Sequence, residues 1–255
     1  SLHGAPPRCA ASGGTAVDWS CKALVTGVAV ALLLMIAQRF GRHVAGLLAG
    51  LPTVTGPALV WLALEHGEAY AVVAAVGSVA ACGLCAVFAL VYERASRSAG
   101  PVAALLAATC ATGAAALALQ RIAPYLAAAL IIAIGASLAI RAALAGDGGR
   151  ARTPAAPARG EPWLTAGVSA AVSGAVALLA PSVGPYWAGV LASPPLIAAA
   201  VAMREHALRE PHGVRAFLHG YVGGLIGRCG YGAVFALLVV RAEGKIVSGG
   251  VDVAQ

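Results

Sequence analysis

The sequence predicts an all-α integral membrane protein with about eight transmembrane helices that form an inverted repeat. Three observations predict this class: few charges, apolar blocks long enough to cross a bilayer, and two copies of a proline-bearing segment. Hydrophobic residues make up 60% of the 255 residues and charged residues 11%, whereas a soluble domain carries about 25% charged residues. Because so few charges cannot cover a surface in water, we expect lipid to surround most of the chain.

The charged residues and cysteines argue against several other classes of protein. The net charge of +7 does not indicate a nucleic-acid partner, because the Lys and Arg residues stand singly between apolar blocks and form no basic face. Most cysteines lie inside apolar blocks, where Cys packs as a small residue, so we expect no disulfide framework. Cys82 and Cys85 have a metal-thiolate spacing but lie in an apolar helix, and we predict no metal or other cofactor.

The order of polar and apolar stretches divides the chain into five parts. They are a disordered N-terminal tail, a first repeat of five spans, a cytoplasmic linker, a second repeat of three spans and a polar C-terminal tail, at 1–20, 21–143, 144–162, 163–240 and 241–255. Each span is an apolar block of about 20 residues bounded by charged residues, glycine or proline. The predicted spans are 21–38, 44–64, 69–92, 101–120, 124–143, 163–180, 186–203 and 214–240.

The distribution of Lys and Arg predicts the orientation. With the N-terminus outside, the cytoplasmic loops hold eleven Lys and Arg residues and the outer side holds five. The positive-inside tendency therefore favours both termini outside. The Ala- and Gly-rich composition suits a GC-rich bacterial source.

An internal repeat is the most specific feature of the sequence. Ala45-Gly-Leu-Leu-Ala-Gly-Leu-Pro52 matches Ala188-Gly-Val-Leu-Ala-Ser-Pro-Pro195 without a gap, and Gly41 falls on Gly184 in the same register. A second block, Cys82-Gly-Leu-Cys-Ala-Val-Phe-Ala-Leu90, matches the nine residues that start at Cys229. The two units start five spans apart, an odd number, so they would enter the membrane in opposite directions, as in many secondary transporters. Only three spans of the second unit are present, which favours a shortened or truncated descendant of a five-plus-five ancestor.

Both copies of the repeat interrupt a span with proline, and these two interruptions are the candidate substrate site. Proline removes a backbone donor and clashes with the preceding turn, so polar backbone groups would be freed within the membrane, where they are tolerated if they line a cavity or are buried in protein. The alternative is a plain kink whose freed groups neighbouring helices satisfy. The candidate substrate-binding residues are Pro52, Thr53, Thr55, Gly56, Ser193, Pro194 and Pro195.

Arg228 is the remaining candidate for substrate binding, because it lies near the middle of the eighth span. Burial of Arg at that depth costs roughly 2.5 to 3.5 kcal/mol on insertion scales. No Asp or Glu lies in the middle of a span, so the expected partners are carbonyl groups at the helix breaks or an anionic substrate. The alternative is snorkelling of the side chain toward the interface. The equivalent position in the first repeat is Ala81, so any such role is asymmetric.

Two pairs of titratable residues follow the interrupted spans. Glu65-His66 and Glu205-His206 are candidates for gating or proton coupling, because His titrates near neutral pH. The alternative, which we favour, is that they are ordinary polar residues at helix ends. The pairs are expected at opposite faces of the membrane.

Small residues one helical turn apart permit helices to approach closely. The pairs Gly46 and Gly50, Gly220 and Gly224, and Gly223 and Gly227 have this spacing. We interpret them as packing positions, which could also join two copies of the chain in a homo-oligomer.

One motif resembles a known family. Ala45-Gly-Leu-Leu-Ala-Gly-Leu-Pro-Thr-Val-Thr-Gly-Pro57, followed by Leu62-Ala-Leu-Glu-His-Gly67, is similar to a family of multi-pass bacterial inner-membrane proteins. Members carry a Gly-Leu-Pro…Ser/Thr-Gly-Pro motif in the first half and a Pro-bearing counterpart in the second, in a pattern that resembles inverted-repeat secondary transporters. The resemblance covers most of the spans, implies an inner-membrane protein and implies no particular substrate. The short C-terminal part departs from the family pattern.

These observations favour a transporter or permease for a small solute, with an anion favoured by Arg228. The expected partners are therefore the lipid bilayer and a small-molecule solute. An enzyme is not expected, because the sequence has no nucleotide-binding loop, catalytic triad or zinc-protease motif. A membrane scaffold or accessory subunit and, less favoured, an enzyme acting on lipid are the alternatives. A polar, water-sized cavity between the interrupted spans would favour transport. A dry seam of Leu and Ala would favour a scaffold, and a lipid-facing cleft with convergent His and Glu would favour an enzyme.

Overall fold

The computed structural model describes residues 42–52, 55–122, 125–145, 184–193, 195–208 and 211–248, together with Leu24, Val28 and Ser182. Within these ranges every regular element is a helix. The helices are α1 (Arg42–Gly50), α2 (Thr55–His66), α3 (Glu68–Ala95), α4 (Pro101–Ile122), α5 (Leu126–Ala145), α6 (Pro185–Leu191), α7 (Leu196–Ala207) and α8 (Pro211–Ser248).

Four of these helices are long and apolar enough to cross a membrane. They cover Glu68–Ala95, Pro101–Leu119, Leu126–Ala145 and His212–Arg241 and coincide with predicted spans three, four, five and eight. The prediction of an all-α protein is therefore confirmed for the described residues, and four of the predicted spans are helices of sufficient length and hydropathy to cross a membrane. The N-terminal tail, the first and sixth predicted spans and the linker lie outside the described residues, apart from Leu24 and Val28 in the first span.

The two interrupted spans each consist of two short helices, as their prolines predict. Span two is α1 followed by α2, and span seven is α6 followed by α7. The longest of the four has 12 residues, or about 18 Å at 1.5 Å per residue, so none of them could cross a bilayer of about 30 Å alone.

The last helix extends beyond the apolar part of the chain. The apolar stretch of α8 ends at Arg241, and α8 continues as a helix to Ser248. The physical reason is that Ala, Glu and Lys, which occur in this segment, favour helix in water as well as in lipid. Loss of hydropathy therefore marks where a helix leaves the membrane and not where it ends.

Helix α3 lies at the centre of the bundle. Its most apolar stretch is 83% buried, whereas that of α4 is 11% buried, and α3 contacts α2, α4, α5, α6 and α8. The buried side of α3 is rich in Ala, Gly, Ser and Cys, whose small side chains let several helices approach it at once. Large apolar residues face outward elsewhere, such as Leu106 (59% exposed) and Ile131 (73% exposed), which favours lipid as their surroundings.

Glycines bring α1 and α8 into backbone contact. A Cβ added to Gly46 would collide with the carbonyl oxygen of Phe217, and one added to Gly50 would lie 2.8 Å from the Cα of Gly224. Gly220 faces the carbonyl of His43 in the same way. Gly46, Gly50 and Gly220 thus pack two helices of the same chain together.

A second close contact joins α6 to α3. A Cβ on Gly189 would collide with the carbonyl oxygen of Ala74, and one on Gly77 would collide with that of Tyr186. Each of the short helices α1 and α6 therefore packs closely on a long helix from the other half of the sequence.

Several helix ends meet at one face of the bundle. Arg215 near the start of α8 donates from Nε to the carbonyl of Leu144 (2.9 Å) and from Nη2 to that of Ala143 (3.1 Å), at the end of α5. At the start of α1, the ring of His43 lies 5.3 Å from that of His219 on α8. The sequence analysis predicts these same helix ends to be cytoplasmic.

Candidate functional site

The two helix breaks meet in the interior of the protein. Thr55 at the start of α2 and Ser193 just after α6 have their hydroxyl oxygens 3.3 Å apart. A third hydroxyl, that of Ser78 on α3, lies 3.2 Å from that of Ser193. All three side chains are buried, with exposed fractions of 1 to 2%. We call Thr55, Ser78 and Ser193 the hydroxyl cluster.

The two breaks have the same local construction. After the first break, the carbonyl of Pro52 accepts a hydrogen bond from the amide of Gly56 (2.9 Å). After the second, the carbonyl of Pro195 accepts one from the amide of Ala199 (2.7 Å). Each proline therefore ends one helix and supplies the first acceptor of the next, because it cannot continue the preceding helix but keeps its own carbonyl. Thr53 and Pro194 lie outside the described residues.

Ser193 connects three helices through its hydroxyl and its carbonyl. Its hydroxyl also lies 3.2 Å from the carbonyl of Gly189 on α6, to which it can donate. The thiol of Cys85 on α3 donates to the Ser193 carbonyl at 3.3 Å. Polar groups that the second break would leave unpaired thus find partners on a neighbouring helix, which burial requires.

Arg228 reaches the first break from α8. Its Nη2 donates to the carbonyl of Leu51 at 3.4 Å, and the residue is 6% exposed. Arg228 therefore has one of the two kinds of partner expected for it, a carbonyl at a helix break. Its Nε and Nη1 atoms are buried and have no hydrogen-bond partner among the described residues.

Four side chains surround the guanidinium of Arg228 and interact with it electrostatically. They are the phenol of Tyr221 and the thiols of Cys82, Cys85 and Cys229. The thiol of Cys82 donates to the carbonyl of Ser78 at 3.5 Å and lies near the thiol of Cys229. No carboxylate of the described residues takes part in this group.

The described residues contain no cluster of three or more His, Cys, Asp or Glu side chains that could hold a metal ion. The four cysteines among them, Cys82, Cys85, Cys110 and Cys229, are free thiols.

Sequence reasoning missed three residues of this region: Ser78, Tyr221 and Tyr231. The hydroxyl of Tyr231 donates to the carbonyl of Gly56 at 3.4 Å. One signal could have found Tyr221: it lies two helical turns before Arg228, so both residues are on the same face of α8. Ser78 belongs to a helix buried on nearly all sides, where periodicity does not single out a functional face.

The structure does not bring the candidate gating residues to the breaks. Glu65 and His66 are exposed at the end of α2, where His66 stacks on Tyr70 with ring centres 4.6 Å apart. Glu205 is 4% exposed near the end of α7, and the Nδ1 of His206 lies 3.5 Å from the hydroxyl of Tyr92. Both pairs lie near helix ends, Glu65 and His66 exposed and Glu205 buried.

No known protein family, curated protein or solved structure matches this chain. Function is therefore inferred from the hydroxyl cluster, the helix breaks and Arg228.

Proposed function

We propose that this chain is a secondary transporter of the bacterial inner membrane that moves a small anionic solute by alternating access between two inverted halves. One observation carries the proposal: the two helix breaks meet in a buried polar contact, with the Thr55 and Ser193 hydroxyls 3.3 Å apart and a buried guanidinium on the Leu51 carbonyl. Helix breaks that face each other inside the bilayer are the usual setting of transporter binding sites.

Equivalent contacts support a structural repeat. In the repeat register Pro52 corresponds to Pro195 and Gly56 to Ala199, and each pair of residues forms the same backbone hydrogen bond. Gly46 corresponds to Gly189, and both make a close contact with the long helix of the other half.

The thiol contact supports a symmetry axis between the halves. Cys82 and Cys229 occupy the same place in the two repeat units, and their thiols lie near each other. A residue touches its own counterpart only where it lies beside a two-fold axis.

The helix ends support opposite directions for the two broken segments. Tyr92 near the end of α3 contacts His206 near the end of α7, and α8 begins four residues after α7 ends. The start of α1 lies against the first third of α8. The start of α6 lies against the first third of α3, toward the opposite face.

This arrangement suits alternating access. Each half contributes a short broken helix packed on the long helix of the other half, so tilting of one half against the other would separate the breaks on one side. The contacts between the hydroxyls span 3.2 to 3.3 Å and join neutral groups, so each is worth only about 0.5 to 1.5 kcal/mol. Such contacts can be exchanged for contacts with a solute at small cost.

The basic residues at one face would attract an anion. Arg141, Arg215 and His43 act electrostatically on His219, which lies nine residues before Arg228 on α8, or about 13 Å along the helix. A surface of one sign of charge at the mouth of a low-dielectric site concentrates ions of the other sign.

The observed interior favours transport over the alternatives. A scaffold would be favoured by a dry seam of Leu and Ala, whereas the seam between the breaks holds hydroxyls, thiols and a guanidinium. A lipid-acting enzyme would be favoured by His and Glu converging on one cleft, whereas the two Glu-His pairs lie at different helix ends.

Uptake into liposomes tests the proposal. Purified protein is reconstituted, and uptake of labelled formate, nitrate, chloride, sulfate, a neutral solute and a cation is measured beside protein-free vesicles. We expect protein-dependent uptake of an anion and its loss in Arg228→Ala. The matched control is Arg97→Ala, because the Arg97 side chain is 60% exposed at the end of α3. Absence of protein-dependent uptake of every solute by folded protein would contradict the transport proposal, and equal uptake by Arg228→Ala would remove Arg228 from it.

A further inference from the structure

We propose that the solute is a monovalent oxyanion, such as a small carboxylate or nitrate, held between the guanidinium of Arg228 and the hydroxyl of Tyr221. The inference rests on the proposed function and names its substrate class. It adds Tyr221, to which the sequence analysis assigned no role.

First, Arg228 and Tyr221 have more buried hydrogen-bond donors than the described residues have acceptors for them. Arg has five N–H donors, and the one hydrogen bond that Arg228 makes to a described residue is to Leu51 through Nη2. The Nε and Nη1 atoms of Arg228 and the hydroxyl of Tyr221 are buried without a hydrogen-bond partner among the described residues. Native proteins leave few such groups unpaired, so donors on two side chains of one helix face point to a ligand that accepts hydrogen bonds.

The second step is the position of the Tyr221 hydroxyl. Tyr221 is 1% exposed and interacts electrostatically with Arg228. Its hydroxyl lies beside the thiol of Cys85, but no hydrogen bond of normal geometry joins them. The thiol itself donates to the carbonyl of Ser193. The phenol therefore lies near both the guanidinium of Arg228 and the thiol of Cys85, and its hydroxyl has no hydrogen-bond partner among the described residues.

The third step is the charge. Arg228 is the one cation of this buried group, and the groups acting on it are a phenol and three thiols. A buried charge without a counter-charge is costly, and a solute with one negative charge neutralises it. A dianion would leave one negative charge in the same low-dielectric surroundings. The arrangement therefore selects for a single negative charge.

The fourth step is the shape of the donors. A guanidinium is planar and presents N–H groups in a fixed fork that matches two oxygens of one anion, and a phenol adds a directional donor. A spherical halide accepts from any direction and gains nothing from this fork. The donor set therefore favours an anion with at least two oxygens over chloride.

Equilibrium binding tests the inference independently of transport. Calorimetric titration of the purified protein in low-chloride buffer is carried out with formate, nitrate, chloride and sulfate. We expect formate or nitrate to bind, with chloride weaker and sulfate more than about tenfold weaker. Tyr221→Phe should weaken binding about tenfold, the loss of one hydrogen bond to a charged group. Arg228→Gln should abolish binding, while Arg228→Lys should bind weakly and keep the preference for one charge.

The matched control is Tyr92→Phe. This substitution also removes a buried phenolic hydroxyl from the protein. The Tyr92 hydroxyl lies near His206, away from Arg228, so binding should be unchanged.

Sulfate or chloride binding as tightly as formate and nitrate would overturn the inference. Equal effects of Tyr92→Phe and Tyr221→Phe on binding would also overturn it. Binding that appears only in Cys82→Ser/Cys229→Ser would assign the counter-charge to a thiolate and also overturn it. Anion binding without uptake contradicts transport alone, and uptake of a neutral solute or cation without anion binding contradicts this inference alone.

Discussion

Arg228 has a charge that the interior of the protein leaves largely unpaired. Its single hydrogen bond to a described residue is at 3.4 Å, near the long end of the range for such bonds. The protein would be more stable with an apolar side chain of similar size at this position. The reason is that the desolvation of a buried charge costs more free energy than its interactions return, unless the charge is fully paired. Residues that lower stability in this way are typical of functional sites.

Replacement of Arg228 by Met should therefore stabilise the protein and abolish anion uptake. The expected gain is about 1 to 4 kcal/mol, by analogy with other buried charges replaced by apolar residues, and is measured as a higher unfolding temperature in detergent. Arg215→Met is the matched control, because the Arg215 guanidinium pairs with the carbonyls of Leu144 and Ala143, so its loss should lower that temperature. A comparable loss of stability in both variants would mean that Arg228 is a structural residue.

At the scale of helices, glycine decides how closely the short and long helices pack. Gly46 on α1 and Gly189 on α6 each face a backbone carbonyl of a long helix, whereas Gly113 on α4 and Gly135 on α5 have no atom within 4 Å of an added Cβ. The first two therefore serve tertiary packing. The others are open positions on the outer helices.

Substitution by alanine should have different effects on stability at the closely packed and the open glycines. Gly46→Ala and Gly189→Ala should each destabilise the protein by about 1 to 3 kcal/mol, because overpacking forces the backbones apart. Gly113→Ala and Gly135→Ala should be neutral or slightly stabilising, because alanine favours helix. Thermal unfolding in detergent measures all four. Equal unfolding temperatures of Gly46→Ala and Gly113→Ala would contradict the close contact between α1 and α8.

At the scale of the whole molecule, the proposed transport requires the two helix breaks to separate and meet again. The described state holds them together through Thr55 and Ser193. Contact between the breaks closes the interior at that point, so it should break and re-form during each cycle.

A reversible covalent link between the breaks should stop the cycle. In a background without native cysteines, Thr55→Cys/Ser193→Cys should form a disulfide with a mild oxidant, because the parent hydroxyl oxygens are 3.3 Å apart. Uptake in liposomes should fall to the protein-free level and return on reduction. Each single-cysteine variant is the control, and its uptake should not respond to the oxidant. Full uptake by the cross-linked protein would show that the breaks do not move apart.

The positions of single helices could be predicted from sequence because their causes are local. The apolar blocks 69–92 and 101–120 correspond to α3 and α4, since hydropathy over about 20 residues is enough to identify a membrane-crossing helix. The interruptions near Pro52 and Pro195 also have a local cause, because proline ends a helix whatever surrounds it. Gly46 and Gly50 indicated a packing face by their spacing alone.

The composition of the candidate site could be predicted only in part. Thr55, Ser193 and Arg228 stood out because polar groups in apolar spans are rare. Their mutual distances, and the part played by Ser78 and Tyr221, depend on how α2, α3, α6 and α8 cross. Residues 138 positions apart, such as Thr55 and Ser193, come together through helix packing, and spacing along one helix contains no information about the angle at which another helix crosses it.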